Sequence, residues 1–382
     1  MQIARPTPLL GGLSARDFMR RHWQKKPLLV RAAMPDAAAL AGRAEILRLA
    51  AREDVESRLI QRDGKRWSLR HGPFARRALP SLQAPAWTLL VQGVDLHLEA
   101  AHRVLAHFRF VPDVRLDDLM LSFATDGGGV GPHLDSYDVF LLQVRGRRRW
   151  RIGRPGRAVL RDGVPLRLLA DFAPSAEWLL EPGDLLYLPP GWGHDGVAEG
   201  EAITASIGFR ASGPVALGVD VLQHLLDALE PPSGERLYSD RQQKATATPA
   251  RIPAALRHYA RAAVLRIVGD GTALDQALGA ALSEPKPGTW FEASPHASGN
   301  QGFGVVLDRR SRMLYDERHV YLNGEAYRAA GRDAKIVRLL ADRRRLSRAE
   351  LESLSTEARA LMDQWLESAW LRADGDAPLR GE

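Results

Sequence analysis

His133 and Asp135 lie two residues apart, so on a β-strand they would point to the same side, the spacing that lets two side chains share one metal ion. Glycines 127–129 and 131 precede them, and apolar residues follow as far as Leu142. The pattern predicts a loop that feeds a strand. A third ligand is offered by residues 179–194, LLEPGDLLYLPPGWGH. There Glu181-Pro182-Gly183-Asp184 predicts a turn and residues 185–188 a short strand. Pro189-Pro190-Gly191 then predicts a stiff turn that delivers His194. Two imidazoles and one carboxylate on one face of an ion leave three positions open, the donor set suited to non-haem iron(II) and oxygen chemistry. Either motif alone reads as readily as a structural His–Asp pair or an ordinary turn. Their order and flanking strand signals join them into one expectation.

Arg148 adds to it. Over 147–152, strand alternation puts Arg148 on one face with Trp150 and Ile152, and Arg147, Arg149 and Arg151 on the other. An arginine on an apolar face is costly unless a carboxylate meets it, and the guanidinium fork accepts a carboxylate in bidentate fashion. A dicarboxylate cosubstrate that also chelates the metal would satisfy Arg148; a protein Asp or Glu is the other reading. The second face reads either as a solvated cationic surface or, with Arg145, Arg154 and Arg157 near, as an approach to RNA.

Alternation over 118–124 places Asp118, Met120, Ser122 and Ala124 on one face and Leu119, Leu121 and Phe123 on the other. Tyr137 shares strand parity with His133 and Asp135. An acid and a phenol beside the ion suit a planar cation: a guanidinium would pair with Asp118 while its stem lay along Tyr137 and Met120. Against this, Asp118 reads equally as a strand-start turn residue and Tyr137 as ordinary core.

Three zones must position these residues, and we expect domains at 1–211, 212–297 and 298–382. The first is β-rich, with helices at its start. In the second, Val219, Val221, Leu222, Leu225, Leu226 and Leu229 recur at helical spacing, as do Leu256, Tyr259, Ala263 and Ile267, and then Leu274, Leu278 and Leu282. A polar loop is expected over 231–249. These stripes have nothing obvious to cover them in a completed barrel, so a two-fold homodimer is expected; packing against the barrel or the terminal module is the alternative. The third zone opens with short strands and an Asn323-Gly324 tight turn, then helices near 335–341, 348–354 and 357–370. This predicts a small α+β module of winged-helix type.

The 382 residues suffice for two or three domains with a sizeable core. With no cysteine, disulfides, thiolate metal sites, iron–sulfur clusters and cysteine nucleophiles are excluded. No apolar run approaches a membrane span and the N-terminal residues show no secretory apolar core, so a cytoplasmic protein with no membrane partner is expected. The formal charge of +7 leaves nucleic-acid contact open.

Taken together, His133-x-Asp135, Gly146 to Trp150, Glu181-Pro-Gly-Asp184 and Pro-Pro-Gly191 with His194 resemble the JmjC family of 2-oxoglutarate- and iron(II)-dependent oxygenases. More narrowly, GGGVGPHLDSYDVFLLQVRGRRRW, HWQKKPLLV and HGPF resemble the bacterial ribosomal oxygenases, strongly over residues 14 to about 212. That resemblance implies a mixed α/β chain with a double-stranded β-helix (cupin-type) core, a helical dimerisation region and a winged-helix-like end. It implies iron(II) on His133, Asp135 and His194, 2-oxoglutarate held by Arg148 and Ser122, and oxygen as co-reactant. The implied reaction is β-hydroxylation of an arginine in the sixteenth protein of the large ribosomal subunit. A JmjC-type enzyme on another protein or transfer RNA, a cupin with cosubstrate-free chemistry, and a non-catalytic nucleic-acid-binding protein are the alternatives. The intact triad with Arg148 argues against the last two.

Overall fold

In the computed structural model, the alternating segment around residue 120 is a nine-residue strand, Leu116–Ala124, with Leu119, Leu121 and Phe123 fully buried. Residues 2–230, 234, 237–293 and 304–374 are described; they form two compact units, 2–211 and 212–374.

The first unit is built on ten antiparallel strands: β1 (Leu28–Val30), β2 (Ser57–Asp63), β3 (Arg66–His71), β4 (Trp87–Val91), β5 (Leu116–Ala124), β6 (His133–Leu134), β7 (Asp138–Gly153), β8 (Ala176–Leu180), β9 (Leu185–Leu188) and β10 (Gly193–Phe209). Their order is β1-β9-β7-β10-β5-β4-β2-β3, with β6 paired to β10 and β8 to β7. The non-sequential order is that of a jelly-roll-like barrel, in which strands distant in sequence are brought side by side.

Two long strands organise this sheet. β7 and β10 run antiparallel along nearly their whole length, from Gly193 opposite Gly153 to Phe209 opposite Asp138. Their register shifts between Glu199 and Thr204, where Gly146 of β7 has φ +62. A Cβ on Gly146 would lie 1.9 Å from the Glu201 carbonyl oxygen, so only glycine fits this bulge. One face of the sheet packs into a core that includes Phe18, Phe140, Tyr187 and Phe209, with neighbouring rings such as Phe18 and Tyr187 at 4.9 Å. The helices α1 (Ala15–Arg21), α2 (Arg43–Ala50) and α3 (Glu99–Ala106) contribute Phe18, Ile46, Leu49, Ala101 and Leu105 to that core.

The arginine face of β7 is solvated, as one reading above expects, and its charge is offset by carboxylates. Arg149 bridges Glu177 at 2.7 Å and Glu199 at 2.5 Å, and Arg151 pairs with Asp195. Arg145 donates to the carbonyls of Ala38 and Ala41. Strands β8 and β10 supply the carboxylates, so the face is compensated by neighbours that no local pattern could reveal.

In the second unit, α4 (Pro214–Asp227), α5 (Ala254–Val268) and α6 (Gly271–Ser283) occupy the segments with helical apolar spacing. Much of the α4 and α5 stripe stays in solvent: Val219 is 60% exposed, Leu226 56% and Tyr259 42%. The α+β part carries β11 (Val305–Leu307), β12 (Met313–Tyr315), β13 (His319–Leu322), β14 (Glu325–Arg328), α7 (Gly331–Arg343), β15 (Arg345–Leu346), α8 (Arg348–Glu352), α9 (Thr356–Glu367) and β16 (Leu371–Ala373). Two three-stranded sheets form, β15-β11-β16 and β12-β13-β14. Asn323 (φ 53) and Gly324 (φ 91) make the tight β13–β14 turn, since both central residues of such a turn need positive φ. Val337, Leu340, Leu346, Met362 and Trp365 form its core. No helix among the described residues is long and apolar enough to cross a membrane.

Candidate metal centre and active site

Strand register places the three candidate ligands. β6 is a two-residue strand paired to the start of β10, and the pairing sets His133 directly opposite His194. Their rings lie 4.1 Å apart. Asp135 follows β6, and its carboxylate stands 4.0 Å from His133 Nε2 and 3.5 Å from His194 Nε2. One ligand atom from each of the three residues lies within 4.8 Å of the others.

Both imidazoles are turned by backbone carbonyls. Nδ1–H of His133 donates to the Gly131 carbonyl at 2.8 Å, and Nδ1–H of His194 to that of Trp192 at 3.1 Å. A carbonyl can only accept, so each Nδ1 carries the proton and each Nε2 keeps a lone pair directed at the shared point. Burial, then the nearby His133, pushes His194 down to about 4, so its ring is neutral at physiological pH. Two imidazole nitrogens and a carboxylate suit a divalent first-row metal; with no thiolate present, the donor set fits iron(II).

These ligands border a pocket of about 310 Å³ that Arg148, Ser122, Asp118, Met120 and Tyr137 also line. Arg148 is 2% exposed, with its guanidinium carbon 5.8 Å from the Trp150 ring centroid. Burial lowers its pKa to about 10, still well above neutrality, so it keeps its charge. Among the described residues its Nε and Nη2 meet no hydrogen-bond partner and it forms no ion pair. Every other arginine of that strand segment from 147 to 151 has a carboxylate. A buried guanidinium with orphaned donors facing a metal-ligand triad fits an incoming carboxylate. Ser122 Oγ donates to the Thr204 carbonyl at 3.3 Å, which keeps the hydroxyl oxygen available to accept.

Asp118 lies on the pocket face of β5, where one carboxylate oxygen accepts the Gly93 N–H at 2.9 Å. Tyr137 also reaches the pocket, though not by the expected parity. The strand stops at Leu134, and residues 135–137 bend before β7 begins at Asp138. The Asp135 carbonyl accepts the Gly191 N–H at 3.1 Å, which holds this bend to the Pro-Pro-Gly turn. At 38% exposed, Tyr137 is not core. Sequence reasoning missed Arg58 and Gln92, which line the same pocket. They come from β2 and the end of β4, and nothing near them in sequence points to the metal.

Comparison with known proteins agrees with this geometry. Residues 103–216 match the JmjC domain family, and residues 266–372 match a ROXA-like winged helix. The chain is 42% identical over 196 residues to an Escherichia coli protein named ribosomal protein uL16 3-hydroxylase, covering 51% of this chain and 52% of that one. It is 34% identical over 197 residues to a probable ribosomal oxygenase of Haemophilus influenzae, covering 50% and 48%. The aligned segment thus spans about half the length of these curated relatives. Among solved structures, E. coli ycfD superposes with a TM-score of 0.81 at 30% identity, covering 94% of this chain and 98% of that one. The same E. coli ribosomal oxygenase in complex with cobalt and 2-oxoglutarate gives 0.78 at 30% identity, covering 95% and 99%.

Proposed function

The chain belongs to the ribosomal oxygenases of the JmjC type, and from that premise we propose that it is a protein hydroxylase dependent on iron(II), 2-oxoglutarate and oxygen. Its substrate is an arginine of a large-subunit ribosomal protein, oxidised at the β-carbon; the E. coli relative's name points to the uL16 protein. The observation that carries this reading is Arg148: a buried guanidinium with unpartnered donors in the pocket of the His133, Asp135 and His194 triad.

When bound, iron(II) and 2-oxoglutarate supply the oxidising power that places one oxygen atom in a C–H bond, with succinate and carbon dioxide as by-products. The chain supplies binding and orientation. His133 and His194 present Nε2, and Asp135 presents its carboxylate. Arg148 anchors the distal carboxylate of the cosubstrate, and Ser122 lends a hydroxyl beside it. The Asp118 carboxylate, steadied by the Gly93 N–H, receives the substrate guanidinium. The ring of Tyr137 and the side chain of Met120 flank the substrate's aliphatic stem.

The substrate assignment is tested with two peptides that differ only in Arg or Lys at the target position. Wild type is expected to hydroxylate the arginine peptide, with the lysine peptide at least tenfold slower, because a point charge replaces the planar fork. Asp118→Asn is expected to lower kcat/KM for the arginine peptide by roughly 10- to 150-fold, the loss of a charge-assisted bond of ~1.5–3 kcal/mol. Equal use of both peptides, or undiminished activity in the Asp118→Asn variant, would remove Asp118 from substrate binding.

The proposal extends to the rest of the chain. Residues 1–211 do the chemistry, 212–297 bring two copies together, and 298–382 form the winged-helix-like end. The apolar, exposed Val219, Leu222 and Leu226 on α4 support the homodimer, since patches of this kind mark interaction sites. Light scattering at micromolar concentration is expected to give twice the 42.1 kDa chain mass, and Val219→Glu with Leu226→Glu to halve it. A monomeric wild type would rule the dimer out. A ribosomal substrate supports a cytoplasmic enzyme, and the net charge of +7 supports contact with nucleic acid.

A further inference from the structure

On the outer face of β7, Arg147, Arg149 and Arg151 are taken by carboxylates, so the unpaired cations outside the metal pocket lie elsewhere. Arg62 and Lys65 sit at the tip of the β2–β3 hairpin, and Arg161 in the loop after β7. With Trp67, Arg151 and glycines 127, 129 and 131, these three line a second cavity of about 290 Å³. That is near the lower end of small-molecule sites, roughly 300–1,000 Å³. It shares no lining residue with the metal pocket yet lies back to back with it. Successive strand residues point to opposite faces, so β7 offers Arg148 and Trp150 to the metal side and Arg151 to this one. Likewise β10 offers His194 to the metal side and Asp195 to this one.

Asp195 is already paired with Arg151. Among the described residues Arg62, Lys65 and Arg161 form no ion pair, which leaves three cations around one small cavity. The Trp67 indole closes it: the Arg62 guanidinium lies 5.8 Å from its ring centroid, and a Cβ on Gly131 (φ +82) would stand 3.0 Å from the ring edge. Clustered cations beside a half-buried aromatic ring that borders the cavity match what single-stranded nucleic acid presents, a phosphate next to a stackable base.

We propose that this cavity binds one nucleotide of single-stranded RNA, its phosphate among Arg62, Lys65 and Arg161 and its base against Trp67. The inference deepens the nucleic-acid reading above and is independent of the catalytic one, because binding is read without turnover.

The test is fluorescence anisotropy of a labelled uridine hexamer with the full chain over a salt series. Lys65→Gln combined with Arg161→Gln is expected to weaken binding at least tenfold. It should also flatten the plot of log affinity against log salt by roughly 0.7, the contribution of the one phosphate charge no longer neutralised. Trp67→Ala is expected to cost roughly five- to a hundredfold from weaker stacking, with Trp67→Phe recovering most of it. The Lys65/Arg161 double variant should keep wild-type turnover on a short peptide, which shows it folded. Wild-type affinity and salt slope in the double variant would overturn the proposal. So would inorganic phosphate competing as well as the hexamer, or an aspartate-rich peptide displacing it at equal concentration.

Discussion

Alanine at His133, Asp135 or His194 is expected to cut 2-oxoglutarate turnover by on the order of 10³-fold or more, equivalent to ~4 kcal/mol of lost barrier lowering. The two imidazoles are held by the Gly131 and Trp192 carbonyls, and the Asp135 backbone is tied to Gly191, so the two ligands that remain stay fixed in place when the third is removed. His133 and Asp135 are 24% and 20% exposed, so their alanine variants should fold. Metal linkage provides a second readout. A ligand at a hundred times its dissociation constant stabilises the folded state by ~2.7 kcal/mol, so divalent metal should raise the wild-type Tm and leave the variants unmoved. Near-normal turnover in any one of the three would remove that residue from the centre.

Arg148→Met is expected to raise the apparent KM for 2-oxoglutarate by roughly 30-fold to several thousand-fold. Truncating one member of a buried charged pair costs ~2–5 kcal/mol. The variant carries an unusual second signature. In the free chain the Arg148 Nε and Nη2 donors are buried without partners, a condition that costs ~1–3 kcal/mol. Methionine removes that cost, so the ligand-free variant should melt several degrees higher than wild type even as it loses its cosubstrate. Arg148→Lys should fall between, since it restores a charge without the fork. An unchanged KM with a lowered Tm would make Arg148 a structural residue.

The fold and the pocket were legible to different depths. His133, Asp135 and His194 stood out because strand spacing and the Pro-Pro-Gly turn are local signals, and Arg148 because period-two alternation marked a cation among buried neighbours. The bend at 135–137 could not be read, because it is imposed by β6 pairing with β10, some 60 residues away in sequence. Tyr137 therefore reaches the pocket by a route that parity did not describe. The same distance hid the carboxylates of Glu177, Glu199 and Asp195 that neutralise the arginine face, and it hid Arg58 and Gln92. Residues 294–303 lie outside the described part of the chain, so the boundary expected at 297 falls there.

The most direct measurement is mass spectrometry of an arginine-containing peptide from a large-subunit ribosomal protein, incubated with the enzyme, iron(II), 2-oxoglutarate and oxygen-18 gas, with succinate quantified in parallel. The account predicts one heavy oxygen on the arginine side chain for each succinate formed, and neither product with His194→Ala. Succinate without peptide oxidation, or peptide oxidation without 2-oxoglutarate, would contradict it.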